Sequence, residues 1–293
     1  MKKLLAMAVT AAFTVSMLAG CGQSAETTDA SVQETTQETE TEAADEETAG
    51  TADAASEDTA ERTTFTVGFD AEFPPYGYMD ENGEYTGFDL ELAQEVCDRN
   101  GWELVKQPID WDSKDMELSS GAIDCIWNGF TMNGREDAYT FSVPYVDNSQ
   151  VFVVAADAGI TVFDDLAGKN VGVQKDSSAL AALEGDAADL AATFGNLTQY
   201  SDYNTAFMDL EQGAIDALAI DVGVADYQIA SRGEGFVKLS ENLASEQYGI
   251  GFKLGNVELK DQVEKTLLEM ADDGTFGKIA EKYGLSDSVC LGK

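Results

Sequence analysis

Residues 121–135, GAIDCIWNGFTMNGR, decide the fold of this chain. A glycine is followed by an apolar segment of strand length, which ends in small polar side chains and an arginine. Residues 210–221, LEQGAIDALAID, repeat the pattern of residues 118–128, LSSGAIDCIWN: a helix end, a glycine, the sequence AID, an apolar strand and a polar end. Two copies of one pattern predict two lobes of similar build.

The composition excludes several classes of function. The chain of 293 residues has a formal net charge of −38 and contains no histidine. So acidic a chain repels the phosphates of nucleic acids and anionic lipids, and no nucleic acid partner is expected. Histidine is the commonest general base and metal ligand, so its absence argues against a conventional hydrolase. We predict no catalytic residue, no metal site and no cofactor.

The N-terminus predicts export. Residues 1–20 contain two lysines, an apolar run too short for a membrane span, and small residues, as in a signal peptide. Residues 18–21, LAGC, resemble the lipobox of bacterial lipoproteins, which implies a diacylglyceryl group on Cys21. This group would be the only membrane attachment and would hold the protein on the outer face of the cell membrane, as in a Gram-positive bacterium. The alternative is cleavage at an Ala-x-Ala site, which leaves Cys21 unmodified.

Residues 21–62, from the lipidated cysteine onward, predict a disordered acidic tether. Residues 22–62 contain thirteen acidic residues against one arginine, one large aliphatic residue and no aromatic residue. Such a segment cannot bury enough apolar surface to offset the entropy lost on ordering.

The element order after residue 63 favours an α/β fold. Predicted strands and helices alternate, which is typical of a parallel sheet with helices on its faces; they lie at residues 64–69 (strand), 89–100 (helix, capped by Asp89), 104–109 (strand) and 113–119 (helix), before the strand that follows Gly121. In such sheets ligands lie beyond the carboxyl ends of the strands. Asp70, Trp111 and residues 128–131 occupy such ends, so we expect them to meet.

The pattern restarts at residues 169–174, KNVGVQ, which parallel residues 66–70, TVGFD. Ser177 and Ser178 then open a helix, and its first amides and hydroxyls can bind an anion. Plain N-capping is the alternative interpretation of these serines. The third strand of this part of the chain delivers Asp221.

Two β segments near residues 150 and 250 bracket this second copy and predict a two-segment hinge. The first lobe is then discontinuous, with residues 63–150 and 251–293, and the second lobe contains residues 151–250. A β segment is also predicted across residues 247–252, QYGIGF.

From about residue 64 to residue 285 the chain resembles the extracytoplasmic solute-binding proteins of ABC transporters, in the polar amino acid family with the type II periplasmic-binding-protein fold. The resemblance rests on GFDAEFPPYGY, GEYTGFDLELAQEV, IDW, SGAIDCIWNGFTMNGRED, FSVPY, GKNVGVQKDSS, GAIDALAID and QYGIGF. It implies a monomeric protein that binds a free amino acid between its lobes and delivers it to an ABC transporter permease.

The resemblance also implies roles for individual residues. Arg135 and Thr131, helped by Ser177 and Ser178, would bind the α-carboxylate of the ligand. Asp221 and the carbonyl group of Gly129 would bind its α-ammonium group. Phe73 and Trp111 would enclose the ligand side chain, and Asp70 and Asn128 would reach its polar end.

Arg135 also fits this role on chemical grounds, because a planar guanidinium binds a carboxylate through two parallel hydrogen bonds. The alternative is a surface ion pair with Glu136 or Asp137. The sequence departs from the family pattern in two places: the spacing from Thr131 to Arg135 is one residue shorter than usual, and Asp176 stands where glycine is common.

Some alternatives remain open at this point. The fold could serve a surface ligand sensor or a dehydratase-type enzyme. The ligand side chain is expected to be polar or cationic, because Asp70 and the overall charge are acidic. Cys97 and Cys125 are interpreted as buried thiols, with a disulfide between them as the alternative.

Overall fold

The computed structural model describes residues 62–233 and 235–292. The predicted signal peptide, Cys21 and the tether up to residue 61 lie outside the described residues. The described strands are β1 (Thr64–Phe69), β2 (Glu72–Phe73), β3 (Gly77–Met79), β4 (Tyr85–Thr86), β5 (Glu103–Pro108), β6 (Cys125–Ile126), β7 (Tyr139–Phe141), β8 (Val146–Ala155), β9 (Asn170–Gln174), β10 (Asn196–Tyr200), β11 (Ala217–Asp221), β12 (Phe236–Lys238), β13 (Ala244–Tyr248) and β14 (Gly251–Lys253). The α-helices are α1 (Phe88–Asn100), α2 (Lys114–Ser120), α3 (Ser178–Glu184), α4 (Ala188–Ala191), α5 (Tyr203–Glu211), α6 (Val222–Arg232), α7 (Val257–Asp272) and α8 (Thr275–Lys282).

Two larger sheets carry the fold. The first has the strand order β5-β1-β6-β14-β7, with β1 parallel to β5 and β6 and with β14 antiparallel to its neighbours. The second has the order β10-β9-β11-β8-β12, with β9 parallel to β10 and β11, while β8 is antiparallel to β11, β12 and β13. We call the parts built on these sheets lobe 1 and lobe 2. The predicted α/β fold with two lobes is confirmed.

The chain passes between the two sheets twice. β7 and β14 belong to the first sheet, whereas β8 and β13 belong to the second. β8 and β13 run side by side, paired from Val146 with Tyr248 to Gln150 with Ala244. The β segment predicted across residues 247–252 is therefore two strands, because the chain changes sheet at residues 249–250. The predicted lobe boundaries at residues 150 and 251 stay predictions.

The repeated sequence AID forms the same contacts in both lobes. The backbone N–H of Asp124 donates to the carbonyl oxygen of Thr66 (2.8 Å), and its carboxylate accepts from the N–H of Thr66 (2.7 Å). Asp216 forms the same pair of bonds with Asn170, at 2.7 and 2.8 Å. Asp124 thus joins the segment before β6 to β1, and Asp216 joins the segment before β11 to β9.

The isoleucine of each AID sequence explains the glycine in each first strand. A Cβ atom at Gly68 would lie 2.4 Å from Cδ1 of Ile123, and one at Gly172 would lie 2.6 Å from Cδ1 of Ile215. Both isoleucines are buried. Any larger residue in place of either glycine would therefore have to displace a packed side chain.

α1 does not begin with Asp89 as its cap. The N-cap is Gly87, and Asp89 lies in the first turn with its side chain fully buried. Its Oδ2 accepts hydrogen bonds from the backbone N–H of Gly129 (2.6 Å) and from the hydroxyl of Tyr145 (2.9 Å). The capping prediction is wrong because these partners, far away in sequence, draw the carboxylate into the core. The predicted helix end at residue 100 is confirmed, and Gly101 follows it with the left-handed φ of 74° that favours glycine.

Within residues 62–233 and 235–292, no helix is long and apolar enough to cross a membrane. The same residues contain no group of three or more His, Cys, Asp or Glu side chains placed to hold a metal ion. Cys97 and Cys125 are free and buried, so they form no disulfide with each other. Burial raises the pKa of both thiols.

Candidate functional site

Nine of the ten predicted ligand residues line one pocket between the lobes. Its walls are Phe73, Trp111, Asn128, Gly129, Thr131 and Arg135 from lobe 1, with Gln174, Ser177, Ser178 and Asp221 from lobe 2. The cavity volume is about 10 Å³. That is about the space one water molecule needs, so the lining side chains already lie close together.

The tenth residue, Asp70, lies behind this wall. Its Oδ2 accepts a hydrogen bond from Nε2 of Gln174 (2.6 Å), and its backbone N–H donates to Oδ1 of Asn128 (3.1 Å). Burial raises the pKa of Asp70 to about 6. Asp70 therefore positions Gln174 across the lobe boundary, and it is Gln174 that lines the pocket.

Arg135 has neutral hydrogen-bond partners. Its Nη1 donates to the carbonyl oxygen of Thr131 (3.2 Å) and its Nη2 to that of Asp176 (3.4 Å), while its guanidinium carbon lies 4.9 Å from the centre of the Phe130 ring. The loop before it is fixed, since the N–H of Met132 donates to the carbonyl oxygen of Gln247 on β13 (3.0 Å). The shorter spacing from Thr131 is thus accommodated with Arg135 at the pocket.

The other three arginines of the chain all have carboxylate partners. Arg62 pairs with Asp124, Arg99 with Glu95 and Asp273, and Arg232 with Glu211. Among the described residues Arg135 forms no ion pair, so the alternative of a surface ion pair with Glu136 or Asp137 is wrong. A guanidinium without a counter-charge, in a chain with 55 acidic residues, is available to an anion from outside.

The two serines have different roles at the start of α3. Ser177 is the N-cap: its Oγ accepts from the N–H of Leu180 (3.1 Å) and donates to the carbonyl oxygen of Gln174 (2.8 Å). Ser178 has its hydroxyl among polar side chains of the pocket, 3.2 Å from Oγ1 of Thr131 and 2.8 Å from Nε2 of Gln150. The capping interpretation therefore fits Ser177, and Ser178 is the serine with a hydroxyl directed to the site.

Asp221, at the end of β11, is held by neutral donors. Its Oδ1 accepts from Nδ2 of Asn148 (2.8 Å), Nε2 of Gln150 (2.7 Å) and the hydroxyl of Tyr248 (2.5 Å). Burial, together with the negative charge of Glu246, raises the pKa of Asp221 to about 7. A cationic group from a ligand would stabilise the ionised form of this carboxylate.

Gly129 permits a close approach that no other residue allows. Its φ is 56°, and a Cβ atom would lie 2.9 Å from Cε1 of Phe73 and 3.0 Å from Cε2 of Tyr248. Asp89 holds its N–H from the core side. The Phe73 ring packs in turn on Tyr203 of lobe 2, with ring centres 5.9 Å apart. Aromatic rings from both lobes thus contact each other at the pocket.

Asp176 connects the lobes. It has a positive φ of 53°, which explains why glycine suits this position, and its carboxylate forms an ion pair with Lys114 of lobe 1. The Lys114 side chain is 2% exposed and that of Asp176 is 55% exposed. Burial lowers the pKa of Lys114, and the charge of Asp176 opposes that effect.

Residues 65–286 match the family described as bacterial extracellular solute-binding proteins, family 3. The chain belongs to this family. It is 30% identical over 226 residues to the L-cystine-binding protein TcyJ of Escherichia coli (strain K12), a match that covers 76% of this chain and 83% of that protein.

Solved structures give the same result. An ABC uptake transporter substrate-binding protein from Streptococcus pneumoniae with bound histidine superposes with a TM-score of 0.74 and 34% identity, over 77% of this chain and 94% of that one. An ancestral arginine-binding protein bound to arginine gives a TM-score of 0.71 and 35% identity, over 76% and 99%. The predicted family, type II periplasmic-binding-protein fold and extracytoplasmic location are confirmed, and these relatives are binding proteins rather than enzymes.

Four polar residues of the site were missed in the sequence. Gln174 ends β9 and corresponds to Asp70 when the sequences TVGFD and NVGVQ are aligned, so the repeat could have indicated it. Asn148, Gln150 and Glu246 lie on β8 and β13 next to other polar residues such as Ser149 and Ser245, so nothing in the local sequence marks them as buried. Their position in the site depends on strand pairing, which spacing alone does not give.

The raised pKa values make a prediction for stability. In the folded chain the pKa is about 6 for Asp70, about 7 for Asp89 and about 7 for Asp221. A carboxyl whose folded pKa is raised binds more protons in the folded state, so its effect on stability is unfavourable above that pKa and diminishes as the pH falls through it. We expect thermal melts without ligand to show a higher melting temperature at pH 6 than at pH 8.

Asp221→Asn isolates one of these groups. An amide oxygen can accept the three bonds now made to Oδ1, so the variant is expected to be more stable than wild type at pH 8, with the difference shrinking at pH 5.5. Asp273→Asn is a control of opposite sign, because Arg99 holds the pKa of Asp273 below its usual range. A variant Asp221→Asn that melts below wild type at pH 8 would contradict the prediction.

The ion pair between Lys114 and Asp176 predicts an effect on lobe closure. Asp176→Asn keeps an acceptor and tolerates the positive φ, but leaves the buried Lys114 without a counter-charge. Because Asp176 is half exposed, we expect the closed arrangement of the lobes to lose about 1 kcal/mol of free energy relative to the open one. This corresponds to about a five-fold shift of the population from closed to open. Small-angle X-ray scattering should show a larger radius of gyration.

Glu91→Gln is the matched control, since the ion pair of Glu91 with Lys282 is exposed and lies within lobe 1. It should leave the radius of gyration unchanged. Equal scattering curves for Asp176→Asn and wild type would show that the pair does not influence closure.

Proposed function

We propose that this protein captures a free amino acid between its lobes and delivers it to the permease of an ABC transporter. The observation that carries the proposal is the pair of charges in one pocket: Arg135 has no carboxylate partner among the described residues, and Asp221 has no basic one. A free amino acid is a zwitterion and supplies both missing charges. The amino acid ligands named for the relatives are consistent with this.

The two ends of the ligand would bind different lobes. Arg135 and the Thr131 backbone belong to lobe 1 and would hold the α-carboxylate, with help from the N-terminus of α3. Asp221 belongs to lobe 2 and would hold the α-ammonium group, with the Gly129 carbonyl opposite. Since neither lobe alone provides both charges, the ligand binds the closed arrangement better than the open one and shifts the population toward it.

The ligand side chain would lie between Phe73 and Trp111, with Asn128 and Gln174 near its end. Asp70 acts on that end through its hydrogen bond with Gln174. These groups favour a polar or cationic side chain. An apolar one would leave Nδ2 of Asn128, which is buried and has no hydrogen-bond partner among the described residues, unpaired, and Asp70 adds an acidic group at this end. We infer that the protein works as a monomer, because one chain provides both ends of the site.

A thermal-shift screen of the twenty amino acids, cystine and ornithine tests the proposal. A ligand at 100 times its Kd adds about 2.7 kcal/mol, which raises the melting temperature of a domain of this size by about 5–10 °C. We expect Arg135→Ala to weaken binding of the best ligand by at least about 30-fold in calorimetry, because a charged pair in a closed pocket is lost.

Arg99→Ala is the matched control, since it removes an arginine whose partners are surface acids. It should change the affinity by less than about two-fold. No melting shift with any of these compounds would exclude the proposed function, and wild-type affinity in Arg135→Ala would exclude the proposed carboxylate site.

We also propose that the protein is attached to the outer face of the cell membrane, as in Gram-positive bacteria, through a lipid on Cys21. The sequence LAGC at residues 18–21 supports this. Cys21→Ser should move the protein from the membrane fraction to the medium, and mass spectrometry of the wild type should find a diacylglyceryl group at Cys21. An unmodified Cys21 in soluble wild-type protein would exclude the anchor.

A further inference from the structure

A second carboxylate, that of Glu246, lies beside Asp221 in the site. Glu246 is on β13, and its side chain is almost fully buried. Its Oε1 accepts from Oγ1 of Thr131 (2.8 Å), Nδ2 of Asn148 (2.7 Å) and Nε2 of Gln150 (2.8 Å), with Oγ of Ser178 at 3.2 Å. No role for this residue follows from the sequence motifs.

The same two amides bind both acids. Nδ2 of Asn148 and Nε2 of Gln150 each donate to Oε1 of Glu246 and to Oδ1 of Asp221, at 2.7–2.8 Å in all four contacts. The two carboxylates therefore lie on either side of shared donors in one buried cluster. We call Asp221 and Glu246 the acid pair.

Among the described residues, the hydrogen-bond partners of the acid pair are all uncharged, and Arg135, which lines the same pocket, forms no ion pair with either acid. Tyr248 on β13 and Tyr203 on α5 direct their hydroxyls to Asp221, at 2.5 and 3.5 Å, and Tyr76 packs on Tyr248. Burial raises the pKa of all three phenols well above the usual value, so they stay neutral. Among the described residues no lysine or arginine forms an ion pair with either acid.

The cluster also has more acceptors than donors. Oδ1 of Asn148 and Oε1 of Gln150 are buried and have no hydrogen-bond partner among the described residues. Buried acceptors of this kind are rare in folded proteins, because leaving one unpaired is costly. A ligand with a primary ammonium group has three N–H donors and one positive charge, which are what this cluster lacks.

We propose that Asp221, with the carboxylate of Glu246 beside it on shared amide donors, holds a proton when no ligand is bound and releases it to the solvent when an amino acid ammonium group binds. Two carboxylates in one buried site cannot both ionise readily, since each negative charge disfavours the other. The positive charge of the incoming ammonium group compensates the charge of Asp221, so Asp221 ionises. Glu246 is thus a positioning and charge-setting residue of the ammonium site, an inference that rests on the proposed function.

Proton release can be measured directly. Calorimetric titrations of the full chain with the best amino acid of the screen, in buffers of different ionisation enthalpy, give the number of protons exchanged. We expect release of about half a proton to one proton per ligand at pH 7.0 and much less at pH 8.5. The affinity should weaken by up to about ten-fold per pH unit below the release midpoint.

Glu246→Gln tests the assignment to this residue. All four contacts of Glu246 are made by Oε1, so Glu246→Gln keeps a carbonyl acceptor at that position and removes the charge. The variant should release less than half as many protons at pH 7.0, with the midpoint moved to lower pH. Glu241→Gln, an exposed acid of the same lobe, should behave as wild type.

The outcomes separate this inference from the proposed function. An amino acid that binds without proton exchange between pH 6 and pH 8 would overturn the inference while the proposed function stands. The same release in Glu246→Gln as in wild type would overturn the role of Glu246. A chain that binds no amino acid would overturn both.

Discussion

In each lobe an isoleucine methyl group fills the space that a side chain on the neighbouring strand, β1 in lobe 1 and β9 in lobe 2, would need. Ile123 packs on Gly68 and Ile215 on Gly172, and the aspartate that follows each isoleucine bonds both backbone groups of one residue in or at the start of that strand. These contacts fix the third strand in register against the first. As a result the two strands end at the same edge of the sheet, where the chain delivers Asn128 in lobe 1 and Asp221 in lobe 2. The geometry of the pocket thus depends on the packing of an isoleucine methyl group on a glycine, which occurs once in each lobe.

The segments that connect the lobes also carry the polar centre of the site. Asn148 and Gln150 lie on β8, and Glu246 and Tyr248 lie on β13, the two paired strands at which the chain changes sheet. Any rotation between the lobes has to be taken up close to these strands. A ligand that binds to their side chains therefore acts on the same backbone that must move when the lobes close. In the proposed function, binding and closure would therefore be coupled through shared residues.

Local patterns predicted much of this molecule because they report local contacts. The two AID sequences, the V-G pairs and the strand ends predicted two α/β lobes and residues that surround one pocket. Asp89 was misread because a carboxylate at a helix start usually caps the helix, whereas here Gly129, forty residues away, supplies a better partner inside the core. Glu246 was missed for the same kind of reason, since a glutamate on a short strand has nothing in its neighbours to show that it is buried. Pairings between distant segments decide such cases, and one sequence does not contain them.

The distribution of charge explains how a strongly acidic protein can keep a cation available. With 55 acidic and 17 basic residues, an exposed arginine readily finds a carboxylate, and Arg62, Arg99 and Arg232 all do. Arg135 is kept from such a partner by the Phe130 ring and by backbone carbonyl groups, which bind a guanidinium without neutralising it. Asp221 is likewise bound by amides and hydroxyls in place of a base. Neither charge is compensated by an ion pair among the described residues. In the proposed function a zwitterion would supply the two missing charges, and selectivity for a free amino acid would follow from charges that the protein leaves without partners.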